Sequence, residues 1–81
     1  MDTRVALLSI IVNDQRQTEE LNRLLHEYRS YVIGRMGIPH PMKDICIISV
    51  ALDAPQDAIS ALSGKIGRLP GVSSKTTFSQ F

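Results

Sequence analysis

The sequence has a single cysteine, Cys46, and only two histidines, His26 and His40. One thiol excludes an internal disulfide and any four-cysteine metal site, and it suits a reducing compartment. Charge of one sign is also missing: nine basic and eight acidic side chains leave a formal net charge of +1. A nucleic-acid binder carries a basic stripe, so a nucleic-acid partner is disfavoured. The longest apolar run, Val5 to Val12, is broken by Ser9 and falls far short of the roughly 20 residues of a membrane span. The opening MDTRV lacks a signal-peptide pattern. The expectation is a cytoplasmic protein with no membrane partner. Neither a linker nor a low-complexity tract interrupts the 81 residues, which make one domain, 1–81. A chain this short buries only about 60–65% of its unfolded surface, a thin margin unless a partner adds buried area.

What is present is a regular alternation of elements. Thr3 to Val12 (TRVALLSIIV) is rich in β-branched residues and stops at Asn13-Asp14, which predicts a buried strand. Asp14 stands three before Gln17, resembling a capping box at a helix start. Leu21, Leu24, Leu25 and Tyr28 then follow the i, i+3, i+4, i+7 spacing of an amphipathic helix. Tyr31 to Ile38 reads as a second strand, Pro39 to Asp44 as a turn, and Ile45 to Leu52 as a third strand. Asp53 repeats the D-x-x-Q spacing, with Pro55 in the first turn of a second helix marked by Ile59, Leu62, Ile66 and Leu69. Pro70-Gly71 ends that helix, and Val72 to Phe78 (VSSKTTF) predicts a fourth strand. The order β-α-β-β-α-β predicts an α+β, ferredoxin-like fold: a four-stranded antiparallel sheet with two helices on one face.

A monomer of this architecture should alternate apolar residues toward the helices with polar ones toward water. Here both sets are apolar. Ala6, Leu8, Ile10, Val12, Val32, Gly34, Met36, Ile38, Cys46, Ile48, Val50, Leu52, Val72 and Phe78 make the better core face. Val5, Leu7, Ile11, Tyr31, Ile33, Ile45 and Ile47 fall on the other side, with Ser9, Arg35, Gly37 and Lys75. Such a patch exceeds what monomers normally expose. Covering it gives a gross driving force on the order of 10 kcal/mol, much of it consumed by association costs. A homo-oligomer, dimer or tetramer, is therefore expected, with Val5, Leu7, Ile11, Ile33, Ile45 and Ile47 at its interface. In this register Gly34 lets a helix lie close, while Gly37 and Arg35 face outward at the contact. A slip of one residue would exchange every assignment.

The run IGRMGIP at 33–39, then Ile48-Ser49, then ALSGKIGRLPGV at 61–72, resembles the family of iron-only hydrogenase system regulators. These are stand-alone ferredoxin-like domains related to ACT domains and to the C-terminal, nickel-binding domain of the nickel-responsive regulator. The resemblance spans nearly the whole chain and implies an ACT-like, oligomeric, regulatory or ligand-sensing domain. It carries no catalytic residues over. The sequence departs from that wider superfamily in two places. Amino-acid-binding ACT domains tend to carry a glycine in the turn after the first strand, where this chain has Asn13-Asp14-Gln15-Arg16. The nickel-responsive proteins use several histidines and a cysteine, where this chain offers only His26, His40 and Cys46.

Arg35 is the most informative polar residue. A guanidinium on a largely apolar face needs a carboxylate, carbonyls or an anionic ligand once covered. One reading pairs it with Asp44 or Asp53, or leaves it at an interface rim. The other makes it the anchor for a small anionic ligand, in a pocket between subunits lined by Arg35, Gly37, His40 and the turn of Asn13, Asp14 and Arg16. Metal binding would need three or four converging ligands; His26 and His40 are weak candidates expected far apart within one copy, so no metal or other cofactor is expected. Gly64-Lys65 lacks the upstream glycine and the hydroxyl of a phosphate loop, and Gly64 and Gly67 are expected to mark close helix packing or early fraying. Asp14 and Asp53 are both expected as helix N-caps rather than an acid–base pair. No Ser-His-Asp or Cys-His arrangement emerges, and a non-enzymatic role is expected. The leading expectation is a small regulatory or ligand-sensing module acting through oligomer interfaces. The alternative is an accessory module that docks on a hydrogenase maturation protein and binds no small molecule. Direct DNA binding ranks below both, because the two helices are used in covering the sheet.

Overall fold

The computed structural model describes residues 2–80. The chain runs β1 (Arg4–Val12), α1 (Thr18–Glu27), β2 (Val32–Pro39), β3 (Cys46–Ala54), α2 (Gln56–Gly67) and β4 (Val72–Phe78). Short 3₁₀ turns at Gln15–Gln17 and Arg29–Tyr31 flank α1. The strands form one antiparallel sheet in the order β2-β3-β1-β4. This is the α+β, ferredoxin-like arrangement expected from the element order. Among the described residues no helix is long and apolar enough to cross a membrane.

Strict alternation in β1 does most of the work. Ala6, Leu8, Ile10 and Val12 are buried, while Val5, Leu7, Ser9 and Ile11 are exposed. Ile48, Val50, Leu52 and Ala54 of β3 join the buried set. The helices cover it with Leu21, Leu24 and Leu25 of α1 and Ile59, Leu62 and Ile66 of α2. Tyr28, Tyr31 and Phe78 pack at the margin of this core. Tyr31 therefore belongs to the turn before β2 and to the helix side, not to the open face. Across the top of the helices, Lys65 Nζ donates to Tyr28 Oη at 3.0 Å and lies 3.6 Å from a Glu27 carboxylate oxygen. The basic residue of the Gly64-Lys65 pair thus ties α2 to α1. Neither glycine marks a close approach: a Cβ at Gly67 would meet nothing within 4 Å, and one at Gly64 only the end of the Arg68 side chain at 3.9 Å.

The two aspartates expected as caps behave differently. Asp14 Oδ1 accepts the Arg16 backbone N–H at 3.0 Å and opens the 3₁₀ turn leading into α1. Asp53 lies inside β3, opposite Val5, and caps nothing; Pro55 occupies the N-cap position of α2 without a side-chain bond. The cause is Pro55 itself. Its ring forces the preceding residue into extended conformation, so Ala54 continues β3 and pairs with Arg4. The strand consumes the residues expected to start the helix.

The second revision concerns β2. Val32 pairs with Leu52 on the core side, but the register then shifts, and Gly34 pairs with Ala51, Met36 with Ser49, and Ile38 with Ile47. Ile33 is the residue bypassed by this bulge. A bulge adds one residue to one strand and reverses the faces beyond it. Gly34, Met36 and Ile38 therefore lie on the open face, and Arg35, Gly37 and Pro39 on the helix face, the reverse of the alternation expected for this strand. Gly34 admits no helix: a Cβ there would meet nothing within 4 Å. β2 is also an edge strand exposed along both faces from Ile33 to Pro39.

Candidate functional site: the open sheet face and the β2 edge

The uncovered face is defined by cross-strand partners, which share a side of an antiparallel sheet. Its rows read Thr77–Leu7–Ala51–Gly34, then Lys75–Ser9–Ser49–Met36, then Ser73–Ile11–Ile47–Ile38 from β4 to β2. Val5 and Asp53 form the next row. Val5, Leu7, Ile11, Ile47, Met36 and Ile38 are all 42–59% exposed, and bulge residue Ile33 reaches 64%. Ile45 lies just before β3 and is half-buried. Of the six residues expected at an oligomer interface, five are exposed large apolar groups, and the bulge adds Met36 and Ile38 to them.

Three shallow hollows mark this face. One of about 390 Å³ is lined by Ser9, Ile11, Ser73, Ser74 and Lys75. A second, of about 340 Å³, lies between Val5, Leu7, Thr77 and Phe78. The third, of about 250 Å³, sits over Gly34 and Ala51, with Leu7, Met36, Ser49 and Arg35 around it. The hollows follow from side-chain size: Gly34 and Ala51 leave a dip beside Met36, and the Ser9 and Ser73 hydroxyls leave one beside Ile11. Two charged side chains stand on this face, Lys75 opposite Ser9 and Asp53 opposite Val5. Neither side chain has a hydrogen-bond or ion-pair partner among the described residues.

Arg35 borders the third hollow, but its side chain reaches the other side of the sheet, toward α1. Its Nη2 donates to Asn22 Oδ1 of α1 at 3.0 Å. Asp44 and Asp53, the acids considered as its partners, are not bonded to it, because the bulge turns Arg35 toward the helix. The residues grouped with Arg35 are dispersed within one chain. Arg35 is level with Leu8 across β3, whereas the Asn13–Arg16 turn begins beyond Val12 at the far end of β1. At about 3.3 Å per residue the two are separated by roughly 15 Å or more. In that turn the Arg16 guanidinium grips Asp14 through two bonds of 2.9 Å. This grip, with the Arg16 N–H bond, holds the Asp14 carboxyl below the usual carboxylate range.

His40 organises the hairpin between β2 and β3. Its Nδ1 accepts the backbone N–H groups of Met42 and Lys43 at 3.0 and 2.9 Å, while its backbone N–H donates to Ile45 O at 2.8 Å. His26 is exposed on α1. Among the described residues no three His, Cys, Asp or Glu side chains converge on a metal-sized site.

Comparison with known proteins places this geometry. The TM1266 protein of Thermotoga maritima has a structure similar over 98% of this chain and 100% of its own, at 32% identity and a TM-score of 0.93. Two distant likenesses show the fold alone. A formyltetrahydrofolate deformylase from Pseudomonas putida matches over 90% of this chain but 28% of its own, at 19% identity and TM-score 0.65. The C-terminal domain of the MgtC protein from Mycobacterium tuberculosis matches over 96% and 89%, at 13% identity and TM-score 0.75. No curated protein matches the sequence. The family model described as "TM1266-like: Iron-only hydrogenase system regulator, putative" matches residues 4–76, and the chain belongs to that family.

Proposed function

We propose that this protein is a non-enzymatic regulatory module of the iron-only hydrogenase system that works as a homo-oligomer assembled through its open sheet face. One observation carries the reading: apolar side chains line both sides of a single small sheet, and the helices cover one side. The area is adequate. Four strands about 4.8 Å apart and some eight residues long present roughly 500 Å² per copy, so a face-to-face pair reaches about the 1,000 Å² expected of a specific interface. Light scattering coupled to size-exclusion chromatography should show a dimer or tetramer at high micromolar concentration. A monomer there contradicts the proposal.

Ligand sensing belongs to the same reading, with Arg35, beside Asn22 of α1, as the anchor for a small anion. Asn22 is neutral, so the guanidinium there retains its full charge for a ligand. Arg35→Ala should abolish stabilisation by carboxylate or phosphate metabolites in a thermal-shift panel and leave assembly intact. The second reading, an accessory module on a hydrogenase maturation protein, is favoured by β2, an edge strand exposed on both faces that can accept another strand. A pull-down retaining a maturation enzyme, with no thermal shift across the panel, selects it.

A further inference from the structure

We propose that the second copy seats on the open face in one defined two-fold register, set by reciprocal ion pairs between Lys75 of each copy and Asp53 of the other. The inference rests on the sheet-face assembly proposed above and specifies its geometry. Lys75 and Asp53 are the charged strand residues of a face otherwise made of apolar groups and hydroxyls, and each side chain lacks a partner among the described residues. A covering surface that desolvated either one alone would pay heavily for an isolated charge. A second copy brings the missing opposite charge.

The placement of the two groups permits this for both at once. Lys75 lies on β4 in the Ser9 row, Asp53 lies on β3 in the Val5 row, and β1 runs between those strands. Leu7 therefore stands midway between the two charges, both across the sheet and along it. A two-fold axis lying between the packed sheets and passing over Leu7, at right angles to the line joining the charges, sets each Lys75 on the other copy's Asp53. The contact is isologous and closes as a dimer. The same axis puts Leu7 against its own counterpart, so the exposed leucine fills the centre and the ion pairs flank it. With strands about 4.8 Å apart and a rise of about 3.3 Å per residue, the two sets of strands cross at roughly 70°. That is closer to the orthogonal class of sheet packing than to the aligned one.

Charge reversal tests the register. Both positions are exposed on strands and bonded to nothing through their side chains, so Lys75→Glu and Asp53→Lys are expected to fold, with circular dichroism as the control. Each single reversal places two like-charge contacts in the dimer and should raise its dissociation constant by about tenfold or more in sedimentation velocity at low salt. The double variant restores opposite charges and should return to within about threefold of the unaltered protein. Association of the unaltered protein with no effect of the single reversals, or with no rescue in the double, overturns the register while leaving sheet-face assembly standing. A Lys75→Glu loss with no matching Asp53→Lys loss overturns it too, and points to an anionic ligand at the Ser9–Ser73 hollow. An unaltered protein that is monomeric overturns both inferences.

Discussion

At the scale of single residues, Gly71 has the least freedom to change. Its φ of +72° lies in the left-handed region, and a Cβ there would stand 2.7 Å from Asp14 Cβ. The same glycine accepts the Asn13 N–H at 2.7 Å, so it joins the end of α2 to the turn before α1. An alanine meets both the left-handed penalty of about 1–2 kcal/mol and the clash. Gly71→Ala should therefore lose at least about 2 kcal/mol in urea unfolding, whereas Gly34→Ala, with open space around it, should stay within about 0.5 kcal/mol. Asp14 supplies a pH signature. Its folded carboxyl titrates below its unfolded value because of the Arg16 side-chain and backbone bonds. The stabilisation it gives is present above the ordinary carboxylate range and fades as pH falls through the depressed value. Glu20, lowered by the Arg23 side chain, adds to it in the same direction. Both are only partly buried and in contact with solvent, so the contribution is screened and modest. Tm should fall as pH drops below about 4, and Asp14→Asn should flatten part of that fall in thermal scans.

At the scale of elements, what was legible in the sequence was whatever local periodicity determines. β1, with its alternation uninterrupted over nine residues, reads correctly from Val5 to Val12. The helical stripes Leu21, Leu24, Leu25 and Ile59, Leu62, Ile66 and the span of β4 read correctly as well, although α2 ends at Gly67, before the Leu69 expected in its stripe. The failures lie where one residue changes the outcome. Pro55 extends β3 through Ala54, which removes Asp53 from its expected cap. The bulge at Ile33 reverses β2, and a period of two carries no mark of an inserted residue unless pairing partners are known. Arg35 consequently moved from the open face to the helix side beside Asn22, and Met36 and Ile38 moved the other way. The open face stays apolar despite this reversal, because β1 keeps Val5, Leu7 and Ile11 exposed and β2 exchanges one set of apolar residues for another. The edge position of β2 has a dynamic consequence. Exposed on both faces and bridged to α1 by the Arg35–Asn22 bond, it has little burial to resist local opening. Amides of residues 33–38 should exchange with deuterium orders of magnitude faster than those of Leu8, Ile10 and Val50, and Asn22→Ala should widen the gap.

At the scale of the molecule, the accessible surface is large for the mass. A folded 9.0 kDa monomer is expected to expose on the order of 4,900 Å², and this chain exposes 5385 Å². Its principal extents of 42 × 20 × 17 Å describe an elongated body rather than a sphere. The open sheet face and the β2–β3 hairpin carry the large apolar side chains of Ile33, Met36, Ile38 and Met42 into solvent. A domain so thinly buried gains from association, because a partner that binds only the folded state stabilises it by mass action. The midpoint of thermal unfolding should accordingly rise with protein concentration, by several degrees between about 5 and 500 μM. Leu7→Glu places a charge at the centre of the open face, where the side chain is already 42% exposed in the single copy. The fold tolerates it, since nothing in the core contacts that side of β1, but two glutamates would meet across the axis. The variant should be monomeric, should unfold at one temperature irrespective of concentration, and should match the unaltered protein at high dilution. A concentration-dependent midpoint that survived Leu7→Glu would move the assembly surface off this face and onto the β2 edge.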